Sequence, residues 1–151
     1  MLDDLDRRIL RRLQDDPTLS TPELASIVAA STPRVTRRME KLREAGVFKG
    51  IHAEINWRLL GYAVEVSLRF TLDKTQRNAF DEFIEAARCV PEVIEIQTFL
   101  GKVDVRLNII ARDMSHYQRL YRDHILTLPH IADIEALMHV ATIKAQDRLP
   151  I

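Results

Sequence analysis

Between Ser20 and Gly50 the chain reads STPELASIVAASTPRVTRRMEKLREAGVFKG, a segment dense in side chains that donate hydrogen bonds to phosphates and base edges. Arg34, Thr36, Arg37, Arg38 and Lys41 fall on one side of a short helix. Val35, Met39 and Leu42, spaced i, i+4 and i+7, claim the other side for a core. Guanidinium groups suit bidentate pairing with guanine, while ammonium and hydroxyl groups suit phosphate oxygens. Ser20, Thr21, Ser31 and Thr32 place four hydroxyls at the starts of two successive helices, as further phosphate contacts. From Arg34 to Lys49 six basic residues stand against two acidic ones, a local charge of +4 in a chain of net charge zero.

A solvated helix face has a similar composition, and Glu40 and Glu44 can pair with neighbouring cations. Two features favour the nucleic-acid reading. The small Ala25 and Ala29 sit where two helices must cross closely, and the polar side chains cluster in the first half of the second helix, the end that reaches bases. The elements holding these groups have their own start and stop signals. Ser20 with Glu23 forms a capping box. Ser31 or Thr32 caps the next helix, with Pro33 at its first position, and Ala45-Gly46 closes it. Asp3 or Asp4 starts an earlier helix that carries Leu5, Ile9, Leu10 and Leu13 inward and stops at Asp15-Asp16-Pro17. Three short helices in this order predict a helix-turn-helix head over 1–50.

Composition narrows the alternatives. Twenty-two basic and twenty-two acidic residues exclude a polycation that binds nucleic acid indiscriminately, so attraction must come from a patch and weaken with salt. The single Cys89 cannot form an internal disulfide; it reads as a buried thiol in a reducing cytoplasm. His52, His116, His124, His130 and His139 lack metal-ligand spacing, and no phosphate-cradling or serine-hydrolase motif occurs, so neither a cofactor nor a metal is expected. No apolar run is long enough to span a membrane, and the N-terminus is acidic rather than signal-like.

After Gly50 the period changes from 3.6 to 2. Ile51, Ala53 and Ile55 predict an extended arm, with a hinge that ends near residue 62. Val64, Val66, Leu68 and Phe70 alternate with polar residues as a strand. A helix over 74–88 is expected to bury Phe80, Phe83, Ile84 and Ala87. Strands follow over 93–100 and from Val103, joined at Gly101-Lys102. A helix near Asp113 uses Met114, Tyr117, Leu120 and Tyr121, and a last strand spans 134–143. The order βαββαβ over 63–151 is the ferredoxin-like arrangement, which makes the chain α+β. Apolar residues on both sides of the last strand imply that a second copy covers the open sheet face.

Taken together, the head, the arm and the βαββαβ module resemble the Lrp/AsnC, or feast/famine, transcriptional regulators. The resemblance runs through Leu2-Asp3-Asp4-Leu5-Asp6-Arg7-Arg8-Ile9-Leu10, Leu19-Ser20, Glu23-Leu24-Ala25, Gly46-Val47-Phe48-Lys49-Gly50, Leu60-Gly61, Gly101-x-x-Asp104 and Leu149-Pro150-Ile151. It implies a winged-type head on double-stranded DNA and a homodimer that builds tetramers or octamers in the cytoplasm, on the nucleoid. It also implies a small effector, typically an amino acid, at an interface of C-terminal modules near Thr98, Leu100, Gly101 and Asp104. Sirohaem decarboxylases resemble the same two-module layout. Such an enzyme would recruit His116, Tyr117, Arg119 and His124 around a tetrapyrrole.

Overall fold

The computed structural model describes residues 2–145 and 148–151. The chain divides into two compact units, residues 1–54 with 144–151, and residues 55–143. The first unit is helical. Asp3 caps α1 (Asp4–Asp15), accepting from the Asp6 N–H at 2.9 Å while the Asp6 carboxylate accepts the Asp3 N–H at 3.0 Å. Ser20 and Glu23 make the same reciprocal pair at the start of α2 (Thr21–Ile27). Ser31 precedes α3 (Thr32–Glu44), so Pro33 occupies its second position rather than the expected first. Gly46, at φ +68°, ends α3 with paired bonds from Gly46 N–H to Arg43 O and from Val47 N–H to Leu42 O. This Schellman geometry occupies carbonyls that the helix leaves unpaired. Leu5, Ile9, Leu13, Leu24, Val28, Val35, Met39 and Leu42 form the core.

The second unit opens with a 3-10 turn (Trp57–Leu60), followed by β1 (Val64–Leu72), α4 (Ala79–Arg88), β2 (Val93–Thr98), β3 (Val105–Ala111), α5 (Met114–Leu120), a π turn (Tyr121–Ile125) and β4 (Ile131–Met138). The antiparallel sheet has the order β2-β3-β1-β4, the expected βαββαβ topology. Val66, Leu68, Phe70, Leu107 and Ile109 face Phe83, Ala87, Leu120 and Ile125 in a second core. The Phe70 and Phe83 rings lie 4.9 Å apart.

Three expectations are corrected. The helix expected from residue 74 starts at Ala79, because the Asp73 carboxylate takes the Thr75 N–H and folds that stretch into a turn. Phe80, now in its first turn, is exposed. The last strand begins at Ile131 and ends at Met138. One more backbone bond, from the His139 N–H to Glu65 O, closes it before the chain leaves the sheet with Val140 and Ile143 exposed. The apolar residues of 140–143 therefore do not extend a strand face. The tail, 144–151, belongs with the helical unit and not with the domain expected over 63–151.

Candidate nucleic-acid interface and effector turn

Ser31, Thr32, Arg34, Thr36, Arg37 and Lys41 are all exposed along α3, while Val35 and Met39 anchor it from below. Among the described residues no carboxylate lies within ion-pairing distance of Arg34, Arg37 or Lys41. Three cations thus stand free on one helix face. The Thr36 hydroxyl bonds back to Thr32 O at 3.0 Å, and the Ser20 hydroxyl donates to Glu23 at 2.6 Å, so both are partly engaged locally. Thr21 is half-buried behind them. Arg38 differs. Its guanidinium reaches Asp3 at 2.6 Å and Asp6 at 3.5 Å, and the Asp6 side chain is only 7 % exposed. Arg38 therefore fastens α3 to the start of α1. The Asp6 N–H, donated to the Asp3 carboxylate, and the Arg38 charge hold the Asp3 carboxyl below its ordinary range. The turn between α2 and α3 is set by Ala29, exposed at φ +53° rather than packed at a helix crossing, with Ala30 N–H donating to Ala25 O at 3.0 Å.

In the second unit, Thr98 is exposed at the end of β2, Leu100 and Gly101 are exposed on the connection to β3, and Leu100 projects fully into solvent. Asp104 points the other way and is buried. Its carboxylate accepts the Leu72 N–H at 2.9 Å and pairs with Lys74 at 2.7 Å. Its own N–H donates to Phe70 O at 2.8 Å, and its carbonyl accepts from the Phe99 N–H at 2.9 Å. Burial pushes the Asp104 pKa up, but the Lys74 ammonium and the Leu72 N–H outweigh it and hold the group below the usual carboxylate range. The Thr71 hydroxyl donates to Lys102 O at 3.0 Å, a second stitch between the turn and β1. Beside Thr98, a cavity of about 410 Å³ opens between α4 and β2, walled by Phe80, Ile84 and Ile96, with Asp81, Glu85 and Arg88 at its polar rim.

Residues 2–49 match the winged helix-turn-helix DNA-binding domain, and residues 65–149 match the Lrp/AsnC ligand binding domain. The chain belongs to the Lrp/AsnC family. It is 30 % identical to the transcriptional regulator AzlB of Bacillus subtilis, over 100 % of this chain and 96 % of that one. It is also 30 % identical to the leucine-responsive regulatory protein of Escherichia coli K12, over 99 % and 92 %. A transcriptional regulator from Neisseria meningitidis, solved in complex with L-Met, superposes with a TM-score of 0.88 at 25 % identity, covering 99 % of this chain and 97 % of that one. The chain is thus a DNA-binding transcriptional regulator of the Lrp/AsnC type with a ligand-binding domain, and the family is one of regulators rather than enzymes.

Two of the residues that a tetrapyrrole enzyme would recruit have local employment in this Lrp/AsnC protein. Tyr117 is buried in the core, and burial raises its pKa. The His116 ring accepts the Arg112 N–H at 3.2 Å and faces Glu92 at 3.5 Å, so it serves the local fold. Cys89 is exposed, not buried as expected, because it lies just past the last turn of α4, with its thiol on Glu85 O at 3.4 Å. Among the described residues no helix is long and apolar enough to cross a membrane, and no metal-holding cluster occurs. Lys74 escaped sequence reasoning. Its signal was a lone cation after a strand end, with nothing to mark its partner thirty residues on.

Proposed function

We propose that this regulator reads specific operator sequences through Arg34, Thr36 and Arg37, with Ser20, Thr21, Ser31, Thr32 and Lys41 on the flanking phosphates. Arg38 sets the pitch of the reading helix from behind. The row of cations on α3, without carboxylate partners among the described residues while the same head pairs Arg8, Arg12 and Arg38, carries this reading. The effector is an amino acid or a related metabolite, received at the exposed turn of Thr98, Leu100 and Gly101 where C-terminal domains of neighbouring copies meet. Asp104 supports that turn from beneath. The cavity beside Thr98 supports the choice of ligand class, because its apolar wall and mixed-charge rim suit a zwitterion with a hydrophobic side chain. The protein works as a homodimer or higher oligomer on the nucleoid, in the cytoplasm.

Footprinting upstream of the protein's own gene, followed by anisotropy titration of that duplex, tests the DNA reading. A protected region of two half-sites spaced by multiples of one helical turn, ~34 Å, is expected. Binding to all duplexes alike would reject sequence specificity. Isothermal titration with L-methionine and L-leucine tests the effector class, and Gly101→Val is expected to abolish any heat that the parent protein gives.

A further inference from the structure

The end of α2 is tied to α1 by one side chain. The Leu24, Ala25 and Ser26 carbonyls accept from the Val28, Ala30 and Ala29 N–H groups, so the turn satisfies them from its own backbone. Val28 O is different. Its one donor among the described residues is the Arg8 guanidinium, at 3.1 Å and twenty positions back along the chain. Val28 is buried, and Ala29 beside it holds φ +53° to reverse the chain toward α3. A carbonyl at the negative end of a helix, on a residue shielded from water, is costly to leave unpaired and is well matched by a cation. The other contact of Arg8 does less to fix it. Its Nε lies 3.1 Å from the Asp4 carboxylate without hydrogen-bond alignment, and the Asp4 side chain is 80 % exposed, so water weakens that pair. The bond to Val28 O is what orients the guanidinium.

α3 is referenced to the same stretch of α1. Arg38 reaches Asp3 and Asp6, so the ties from the end of α2 and from the middle of α3 both land between Asp3 and Arg8. We propose that Arg8 is a positioning residue for DNA recognition: by capping the end of α2 it fixes the turn at Ala29, and with it the placement of Arg34 and Arg37 over the base edges. This role rests on the proposed reading of bases by α3. In it Arg8 touches no DNA. Its consequence falls on specificity, because bidentate pairing with a base tolerates little displacement, whereas cations on phosphates hold through small shifts of a helix.

Two full-length variants test the role. Arg8→Met keeps an apolar stem and removes the donors, and Arg8→Lys restores a cationic donor. Arg8 is 43 % exposed, so both are expected to keep the fold and a single melting transition. Hydrogen exchange followed by mass spectrometry reads the peptides that span Ala29 and Ala30. Exchange there is expected to be about fivefold faster or more in Arg8→Met and near the parent rate in Arg8→Lys. Anisotropy then gives the ratio of affinities for the footprinted operator and for a scrambled duplex. Arg8→Met is expected to lower that ratio about tenfold through the operator alone, and Arg8→Lys to recover most of it. The slope of log affinity against log salt is expected to be the same in all three proteins, since a lost phosphate contact would reduce it by about 0.9. Unchanged exchange in Arg8→Met would overturn the tie. A salt slope reduced by that amount would make Arg8 a phosphate contact and overturn the positioning role, as would faster exchange with the operator preference intact. Should the parent itself prefer no duplex, the reading of bases by α3 fails, and exchange at Ala29 and Ala30 alone decides the tie.

Discussion

Arg37 and Arg38 are neighbours in sequence with opposite employment. Arg37 is exposed, with no carboxylate partner among the described residues, whereas Arg38 is 30 % exposed and fixed to Asp3 and Asp6. Arg37→Ala is therefore expected to leave the melting temperature unchanged and to weaken operator binding by ~1–3 kcal/mol while relaxing the preference at one base. Arg38→Ala acts differently, because it leaves the buried Asp6 carboxylate without its cation. Chemical denaturation is expected to show a loss of about 1–2 kcal/mol, less than for a fully buried pair because water reaches Arg38. An Arg38→Ala protein of parental stability would remove the bracing role. Asp104 supplies a pH signature in the other unit. Its folded pKa lies below its ordinary value of 3.8, so its contribution to stability is complete above that value and is lost as pH falls from there through the folded one. Urea titrations from neutral pH down to about 2 should show that loss in the parent and a flatter acid limb in Asp104→Asn.

Elements were legible in the sequence wherever a local signal matched the backbone need. Asp3 or Asp4, Ser20 with Glu23, and Gly46 each announced a helix end, and the alternation from Val64 onward announced β1 with the right face inward. Legibility failed in two ways. The local turn that the Asp73 carboxylate closes on the Thr75 N–H, delaying α4, was hidden under a helical apolar pattern, and nothing near Asp104 pointed to its distant partners Leu72 and Lys74. The polar groups of the DNA face were visible by type, and the place of Arg38 beside the core residue Met39 already allowed a bracing role, but its partners Asp3 and Asp6 appear only with α1 behind it. The turn between α2 and α3 carries a cost that sequence patterns conceal. Ala29 holds φ +53°, a region where a Cβ is disfavoured by roughly 1–2 kcal/mol. Ala29→Gly relieves that strain and gives back part of it through the freer unfolded chain, so a net gain of about 0.5–1 kcal/mol is expected in denaturation of the head. A loss of stability would place the strain elsewhere.

At the scale of the whole molecule, the open face of the sheet is the surface on which we expect copies to meet, and it is charged rather than apolar. Arg69 and Arg106 sit directly opposite each other on β1 and β3, a repulsive placement relieved by Glu135 at 3.5 Å and Glu95 at 3.3 Å. Glu65 gathers Asn108 at 3.0 Å with Arg58 and His139 at 3.3 Å, and Ile110 and Leu137 add the apolar contribution. A face with both signs interleaved in rows can meet its own two-fold copy with unlike charges aligned, and that is the basis on which we expect the homodimer to form here. Reversing both arginines, Arg69→Glu with Arg106→Glu, turns the same rows uniformly acidic. The variant is expected to sediment as a monomer at concentrations where the parent is dimeric, with its helical head and its own melting transition retained. Linking two heads raises apparent affinity by about 10²–10⁴ through effective concentration alone. The monomeric variant should therefore lose a factor in that range on a duplex with two half-sites and almost none on a duplex with one. Equal losses on both duplexes would mean that the arginines act on the head, and an intact dimer would mean that another surface joins the copies.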